Sequence, residues 1–393
     1  MMEFRALKRR KGMITPRENL LRAFSQGEPE WIPLVTCVDN WNQPNREGMD
    51  PELEEALGEM KPNGDGVTIL SRYLGIDIMD RVAPPVVTRQ RSMDVETVTE
   101  GWDTTTIWHT PKGDLRQVKR LSESDPLHPP YFVERAIKTA EDLPRFAEIF
   151  ADQEYEFNER HATEITQKRG MIGDGGILEC HVSGTPMGML YRVYSGVENL
   201  AYLHVDAPDA LADLFHAMET RYQELLRLAV GCDADMFVGI DDTSTTVISP
   251  AMFEQYNIDL TNERADICHA AGKGYLHHSC GLIKNLLCLY NMTRMDGVHA
   301  FTEPPVGDVT IADGREILDD RIGISAGGSR FLATVSWEPE TMRQAVRDIF
   351  TNITPADRVV FGISSMPFRT VGEMQEVIEE CRKYQIAPDP VSA

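Results

Sequence analysis

Residues 236–280 decide the fold, opening with the run MFVGIDD (236–242) and closing with the run GYLHHSC (274–280). Each run is mainly apolar, and each ends in polar side chains. Between them lies a helical pattern that opens at Ser249-Pro250 and repeats apolar residues at the spacing of an amphipathic helix. A strand, a helix and a second strand with short links predict parallel strands that are joined by a right-handed crossover.

The same unit recurs on both sides of this segment. Further strand-like runs are predicted at Trp31–Cys37 and at about 171–182, 297–301, 322–328 and 358–364. Together with the two runs above they make seven strands, and we expect an eighth between residues 40 and 150. A TIM (β/α)8 barrel is therefore favoured over an open doubly wound sheet, which would require a glycine-rich phosphate turn early in the chain.

An N-terminal helical and β-hairpin elaboration is predicted beside the regular part. The pattern Thr15-Pro16-Arg17-Glu18 has the form of a capping box and predicts a helix that starts there. Val95–Leu121 alternates with period two around a turn at residues 111–114, which predicts a β-hairpin. We divide the chain into residues 1–165, with the first barrel strand and the hairpin, and residues 166–393, with the remainder of the barrel, and expect a single structural domain.

Composition excludes several classes of partner and compartment. Lys and Arg number 39 against 62 Asp and Glu, a net charge of −23, whereas nucleic acid and anionic membranes bind positive surfaces. No apolar run is long enough for a transmembrane helix, and the basic N-terminus leads into no apolar segment of a secretory signal. Seven scattered cysteines do not suggest a disulfide framework, so we expect a cytoplasmic protein.

Polar residues at the carboxyl ends of the predicted strands are the candidates for chemistry, because barrels of this kind build their active sites there. Asp241 and Asp242 are adjacent and face opposite ways in a strand, so one of them is expected to point into the mouth. We predict catalytic or ligand roles for Asp241, Asp242 and Glu303. The residues predicted to bind substrate are Cys37, Asp39 and Glu179.

His278 and Cys280 form the most informative pair. Residues i and i+2 of a strand project from the same face, about 6.5–7 Å apart, so an imidazole and a thiol can converge on one ion between them. Zinc accepts both of these ligand types. The pair therefore predicts a metal site at the mouth of the barrel, although two ligands alone do not define one.

Four segments resemble, in order, the uroporphyrinogen decarboxylase superfamily: TPRENLLRAFSQGEPEWIPL (15–34), SGTPMGMLYRVYSGVENL (183–200), ISPAMFEQY (248–256) and LHHSCG (276–281). The closer likeness is to its corrinoid-dependent methyltransferase branch, such as methylcobalamin:coenzyme M methyltransferases and methoxyarene O-demethylase methyltransferases. The RQAGR motif of the true decarboxylases is absent, and residues 31–45 hold no arginine cluster for tetrapyrrole carboxylates.

The resemblance implies a zinc ion bound by His278 and Cys280, which match the His-x-Cys pair of the methyltransferase branch. That branch supplies a later cysteine near the last strand, whereas residues 362–367 of this chain contain none. Two alternatives stay open. Either an oxygen ligand from Asp241, Asp242 or Glu303 completes the site, or the site is weak or empty.

The reaction implied by the resemblance is methyl transfer between a small methylated or methoxylated compound, or a thiol, and a corrinoid cobalt. No Asp-x-His-x-x-Gly signature of cobalamin binding occurs in the chain, so the corrinoid is expected on a partner protein. The alternatives are a metal-free lyase similar to uroporphyrinogen decarboxylase, and an inactive barrel that serves as a binding protein.

Overall fold

The computed structural model describes residues 14–25, 27–36, 50–51, 54–55, 65–124, 130–327, 338–363 and 370–384. The chain divides into two compact units. The first consists of Met1–Pro84, Arg160–Val182 and Cys232–Ala393, and the second of Pro85–Glu159 and Ser183–Gly231.

The described residues form fourteen strands. They are β1 (Leu34–Val35), β2 (Ile78–Val82), β3 (Val86–Gln90), β4 (Asp94–Glu100), β5 (Asp103–Thr110), β6 (Gly113–Arg120), β7 (Tyr131–Glu134), β8 (Gln153–Phe157), β9 (Gly176–Ser183), β10 (Met236–Ile240), β11 (Gly274–His278), β12 (Gly297–Phe301), β13 (Gly323–Gly327) and β14 (Val359–Gly362).

Helices occupy much of the chain between these strands. The α-helices among the described residues are Pro16–Phe24, Gly66–Leu74, Asp142–Ala151, Glu159–Ile172, Pro186–Met189, Val197–Asp206, Pro208–Ala229, Pro250–Tyr256, Ile258–Ala270, Leu287–Tyr290, Ile311–Ile317, Pro339–Phe350 and Val371–Arg382, and Leu190–Tyr194 is a π-helix. None of the helices in these described ranges has the length and apolar composition that crossing a membrane requires.

Eight strands of the first unit form a nearly closed parallel sheet in the order β1-β14-β13-β12-β11-β10-β9-β2. The order runs through the chain sequentially from β9 to β14, as expected for repeated strand–helix units. The (β/α)8 barrel predicted from the sequence is confirmed. Its eighth strand is β2, which lies within the 40–150 segment where we expected it.

Asp77 joins the two ends of this sheet. Its buried Oδ2 accepts hydrogen bonds from Trp31 Nε1 at 3.2 Å and from the Leu34 backbone amide at 3.1 Å. Leu34 begins β1, whereas Asp77 directly precedes β2. One carboxylate therefore links the two strands that the described backbone ladder leaves unpaired with each other.

The helix Pro16–Phe24 closes the amino-terminal end of the barrel. Thr15 Oγ1 accepts from the Glu18 amide at 3.1 Å, which is the start that the sequence predicts. Leu20, Ala23 and Phe24 pack in the core with side chains from the strands. Gly323 permits this approach, since a Cβ there would lie 2.2 Å from the Ala23 carbonyl oxygen. The opposite, carboxyl end of the strands is left as the mouth.

The second unit contains the predicted hairpin. β5 and β6 pair antiparallel from Asp103↔Arg120 to Thr110↔Gly113, so the turn falls where the sequence places it. β4 and β7 flank this pair to complete a four-stranded sheet, and β3 pairs with β8 in a separate two-stranded sheet. The elaboration is therefore larger than a single hairpin.

The boundaries of one predicted strand differ from the structure. The run predicted as a strand from residue 171 remains helical up to Ile172, and β9 starts at Gly176. Ile165, Lys168 and Ile172 are the buried positions of this helix, a spacing of one helical face. A short apolar run could not reveal which of the two periods continued through residue 171.

Replacing Asp77 by alanine should destabilise the barrel. The variant leaves the buried Trp31 and Leu34 donors without their acceptor, and each such donor costs about 1–3 kcal/mol. We expect the free energy of unfolding to fall by about 2–4 kcal/mol in urea titrations followed by circular dichroism. Asp213→Ala, at an exposed helical position, is the matched control and should change little. Equal stability of the two variants would show that Asp77 does not hold the ends of the sheet together.

Candidate functional site

Polar side chains from β9–β12 and the residues that follow them meet at the mouth of the barrel. They form two groups, each with ligand atoms within 4.8 Å of one another. We call Asp242, His278 and Cys280 the thiol cluster, and Glu179, His181 and His299 the histidine cluster. Each cluster combines imidazole nitrogen with a carboxylate, and the thiol cluster adds a sulfur.

The thiol cluster is centred on Asp242. This residue adopts a left-handed backbone with φ 54°, a conformation that Asp tolerates better than most residues. Its Oδ1 lies 2.8 Å from His278 Nε2 and accepts from Cys280 Sγ at 3.6 Å. Asp242 and His278 are partly exposed, so the cluster is open to the mouth.

The histidine cluster is more deeply buried. Glu179 Oε2 lies 3.5 Å from His181 Nε2 and 3.9 Å from His299 Nε2. The register between β12 and β13 shifts between His299 and Phe301, where Ala300 has φ 63°. Such a bulge changes the direction in which neighbouring side chains point.

A hydrogen bond joins the two clusters. His278 and His299 are register partners on β11 and β12, and their Nδ1 atoms lie 2.8 Å apart. The two ring centroids are 4.9 Å apart. One Nδ1 must donate and the other accept, so the tautomers of the two rings are coupled.

The thiol cluster fits zinc by its donor set and spacing. Around a tetrahedral zinc, bond lengths of about 2.1 Å to oxygen and 2.3 Å to sulfur place those two ligands roughly 3.6 Å apart. The Asp242–Cys280 separation has this value. The Asp242–His278 pair is closer, as a direct hydrogen bond requires, and would widen by about half an ångström around an ion.

A buried polar network supports the strand ends beneath the clusters. His277, fully buried on the opposite face from His278, places Nδ1 3.4 Å from Asp241 Oδ2 and Nε2 3.1 Å from Thr243 Oγ1. Tyr290 Oη lies 3.2 Å from Thr243 Oγ1. Asp241 is thus enclosed, whereas its neighbour Asp242 faces the mouth, which is the division that strand alternation predicts.

The remaining predicted residues lie elsewhere. Glu303 is buried, and its Oε1 accepts from the Ile311 amide at 3.0 Å, at the start of a helix. It belongs to neither cluster. Cys37 and Asp39 fall outside the described residues.

Sequence reasoning missed His299. It lies in the short run GVHAF, and a single histidine in an apolar strand is ordinarily a core residue. The available signal was its position near the carboxyl end of a predicted barrel strand, next to the strand that carries His278. Sequence reasoning also missed His181, since it predicts a role for Glu179 in this segment but none for His181.

Comparison with known proteins places the chain in a family. The model of the family described as Uroporphyrinogen decarboxylase (URO-D) matches residues 160–363, just over half of the chain. This chain belongs to the uroporphyrinogen decarboxylase family. The matched residues include β9–β14, and therefore both clusters of this family member.

Solved structures show a similar fold. A methyltransferase from Methanosarcina mazei superposes with a TM-score of 0.58 at 12 % identity, covering 95 % of this chain and 99 % of that chain. A B12-independent methionine synthase from Shewanella sp. W3-18-1 gives a TM-score of 0.43 at 8 % identity, covering 91 % and 94 % of the two chains. No curated protein matches this chain.

Burial sets the protonation of the histidine cluster. Desolvation lowers the pKa of His181 and of His299 to about 3, so both rings are neutral at neutral pH and keep a lone pair for bonding. Burial also raises the pKa of the Glu179 carboxyl, an effect that His299, Arg81 and His278 oppose.

Acid should destabilise the metal-free protein partly through His181. Its pKa is lower in the folded chain than in the unfolded one, so the unfolded state takes up the proton first as pH falls below about 6.5. The stability due to the neutral ring is complete above that pH and is lost toward pH 3. When the pH falls from 7.5 to 5.5, we expect the unfolding free energy of wild type to decrease by about 1.4 kcal/mol more than that of His181→Gln. His216→Gln, at an exposed position, should follow wild type, and an identical pH dependence in all three proteins would contradict this prediction.

Proposed function

We propose that this family member is a zinc-dependent methyltransferase, which moves a methyl group between a small methylated or methoxylated compound, or a thiol, and a corrinoid on a partner protein. The observation that carries the proposal is the convergence of Asp242, His278 and Cys280 at the mouth of the barrel. The fold likeness to a methyltransferase supports the same reaction class.

Asp242, His278 and Cys280 would hold the zinc ion. Bound zinc supplies Lewis acidity, which lowers the pKa of a substrate thiol or assists an ether oxygen as leaving group. The proposal takes up one of the two alternatives left open by the sequence, in which an oxygen ligand stands in for the missing cysteine. Asp242 is the candidate oxygen, since Asp241 and Glu303 contact other groups.

Neighbouring groups of the chain orient these ligands through hydrogen bonds. His299 holds the His278 ring through its Nδ1 and leaves Nε2 directed at Asp242. The Ser279 amide donates to the His299 carbonyl at 2.8 Å, which fixes the backbone between His278 and Cys280. Outer contacts of this kind set the orientation of a metal-binding imidazole and raise its basicity.

A substrate would enter from the open side of the thiol cluster. Asp242 and Cys280 are partly exposed there, while the polar network around His277 is sealed below. A methyl group bound to a corrinoid must approach from the same side. Because the chain has no cobalamin signature, we assign the corrinoid to a separate protein.

Family membership is also the observation that favours a second candidate, a metal-free lyase that acts on a tetrapyrrole. Such a site needs cationic groups for the substrate carboxylates. Arg81 lies near Glu179 and His181 and is the candidate for that role. Titration of the chain with a porphyrinogen tests this reading, and saturable binding with release of carbon dioxide would favour it over methyl transfer.

Cys280→Ser should remove both the metal signature and the activity. Cobalt(II) bound by wild type is expected to show a thiolate-to-metal charge-transfer band, and the variant should lack it because serine supplies no sulfur. Methyl transfer from methylcobalamin to a small thiol, followed by the corrinoid absorbance, should fall by about 100-fold or more, since even outer partners of a metal site are worth roughly 10–100-fold.

Cys288→Ser is the matched control, because Cys288 is an exposed cysteine outside both clusters. It should retain the absorption band and the activity of wild type. A wild type without the band, or a Cys280→Ser variant with full activity, would refute the proposed zinc centre.

A further inference from the structure

The histidine cluster contains the ligand types of a metal site, independently of the thiol cluster. Glu179, His181 and His299 offer one carboxylate oxygen and two imidazole nitrogens within 4.8 Å of one another. Two imidazoles and a carboxylate on one side of an ion, with other positions open, bind divalent transition metals. Around a tetrahedral ion with bonds near 2.1 Å, ligand atoms lie roughly 3.4 Å apart, so the 3.5 Å separation already fits and the 3.9 Å separation would close by about half an ångström.

Glu179 supplies a second, independent observation. The residue is 3 % exposed, and its Oε1 makes no hydrogen bond to any residue that the structure describes. A buried carboxylate oxygen without a hydrogen-bond partner is costly unless a cation or a proton compensates it. Two imidazole nitrogens lie beside this carboxylate and complete a set of three ligand atoms that could hold a cation.

The contact between the clusters limits how they can be filled. A neutral imidazole carries one N–H, so a ring that binds a metal through Nε2 must carry its hydrogen on Nδ1. A metal on His278 Nε2 therefore makes His278 the donor to His299 Nδ1, and His299 then carries its own hydrogen on Nε2. A metal on His299 Nε2 reverses the pair, and His278 Nε2 then donates to Asp242 Oδ1.

We propose that Glu179, His181 and His299 form a second site for a divalent transition metal, and that this site and the thiol cluster are filled alternately, not together. Filling both through Nε2 would place two hydrogens between Nδ1 atoms that are 2.8 Å apart, or require the loss of a further proton. The second site stands on its own residues, whereas the mutual exclusion also rests on the proposed zinc centre.

Cobalt(II) titration of the full chain, stripped with a chelator and held at pH 7, tests the proposal through stoichiometry and spectrum. Wild type should bind one equivalent with the thiolate band. Cys280→Ser should still bind one equivalent, without that band, because the metal moves to the histidine cluster. His181→Ala should bind one equivalent with the band. The double variant Cys280→Ser/His181→Ala should bind none.

Two further variants keep the result interpretable. His216→Ala, an exposed histidine, should behave as wild type. Glu179→Gln in the Cys280→Ser background should also bind none. It provides the same test if the Cys280→Ser/His181→Ala variant does not fold, as judged by circular dichroism.

Three results would overturn the proposal. They are a Cys280→Ser variant that binds no metal, a wild type that binds two equivalents, and a double variant that still binds one. A wild type without the thiolate band speaks against the proposed zinc centre instead, and Cys280→Ser then still decides whether the histidine cluster binds.

Discussion

The pairing of β11 with β12 in parallel register is the constraint on which both clusters depend. It makes His278 and His299 direct neighbours, and their rings are close enough for a 2.8 Å hydrogen bond. A shift of one residue would turn one of the two rings to the other face of the sheet. His278 would then lose its hydrogen bond with His299, and the histidine cluster would lose His299 as a ligand if that ring were the one to turn away.

The cost of burying polar groups explains how the rest of the mouth is built. His277 and Asp241 are fully enclosed and therefore need partners, which they find in each other and, for His277, in Thr243. Burial raises the pKa of Tyr290 to about 12, so its hydroxyl keeps its proton and remains available to Thr243 and Ser279. This buried polar network lies on the other face of β11, where it holds the strand ends without taking part in the mouth.

The sequence predicts the barrel well because its signals are local and repeated. Alternation of apolar strands with helices is visible without any knowledge of contacts, and it led to eight strands, including one left unplaced between residues 40 and 150. The predicted start of the strand at about residue 171 was wrong by a few residues, since a short apolar run fits both periods. The predicted domain limits and site residues remain predictions.

The candidate site was harder to predict because it depends on contacts between distant residues. His278 and Cys280 stand out as a motif, and alternation separates Asp241 from Asp242. His299 carries no motif, and it joins the site through strand register and a bulge that appear only in three dimensions. The clustering of Glu179 with His181 and His299 likewise required the closed ring of strands.

The absence of a cysteine from residues 362–367 is compatible with a metal centre at Asp242. A carboxylate in place of a thiolate keeps the ligand charge at minus one, so zinc with His278, Cys280 and Asp242 remains electrically neutral overall. The oxygen is a harder ligand than sulfur and donates less electron density to the metal, which leaves the ion a stronger Lewis acid. With Asp242 as the oxygen ligand, the thiol cluster contains a single sulfur ligand. The two clusters then differ in one ligand only, a sulfur in the thiol cluster where the histidine cluster has an imidazole nitrogen. That small difference in ligand chemistry is what would allow a single ion to be shared between them.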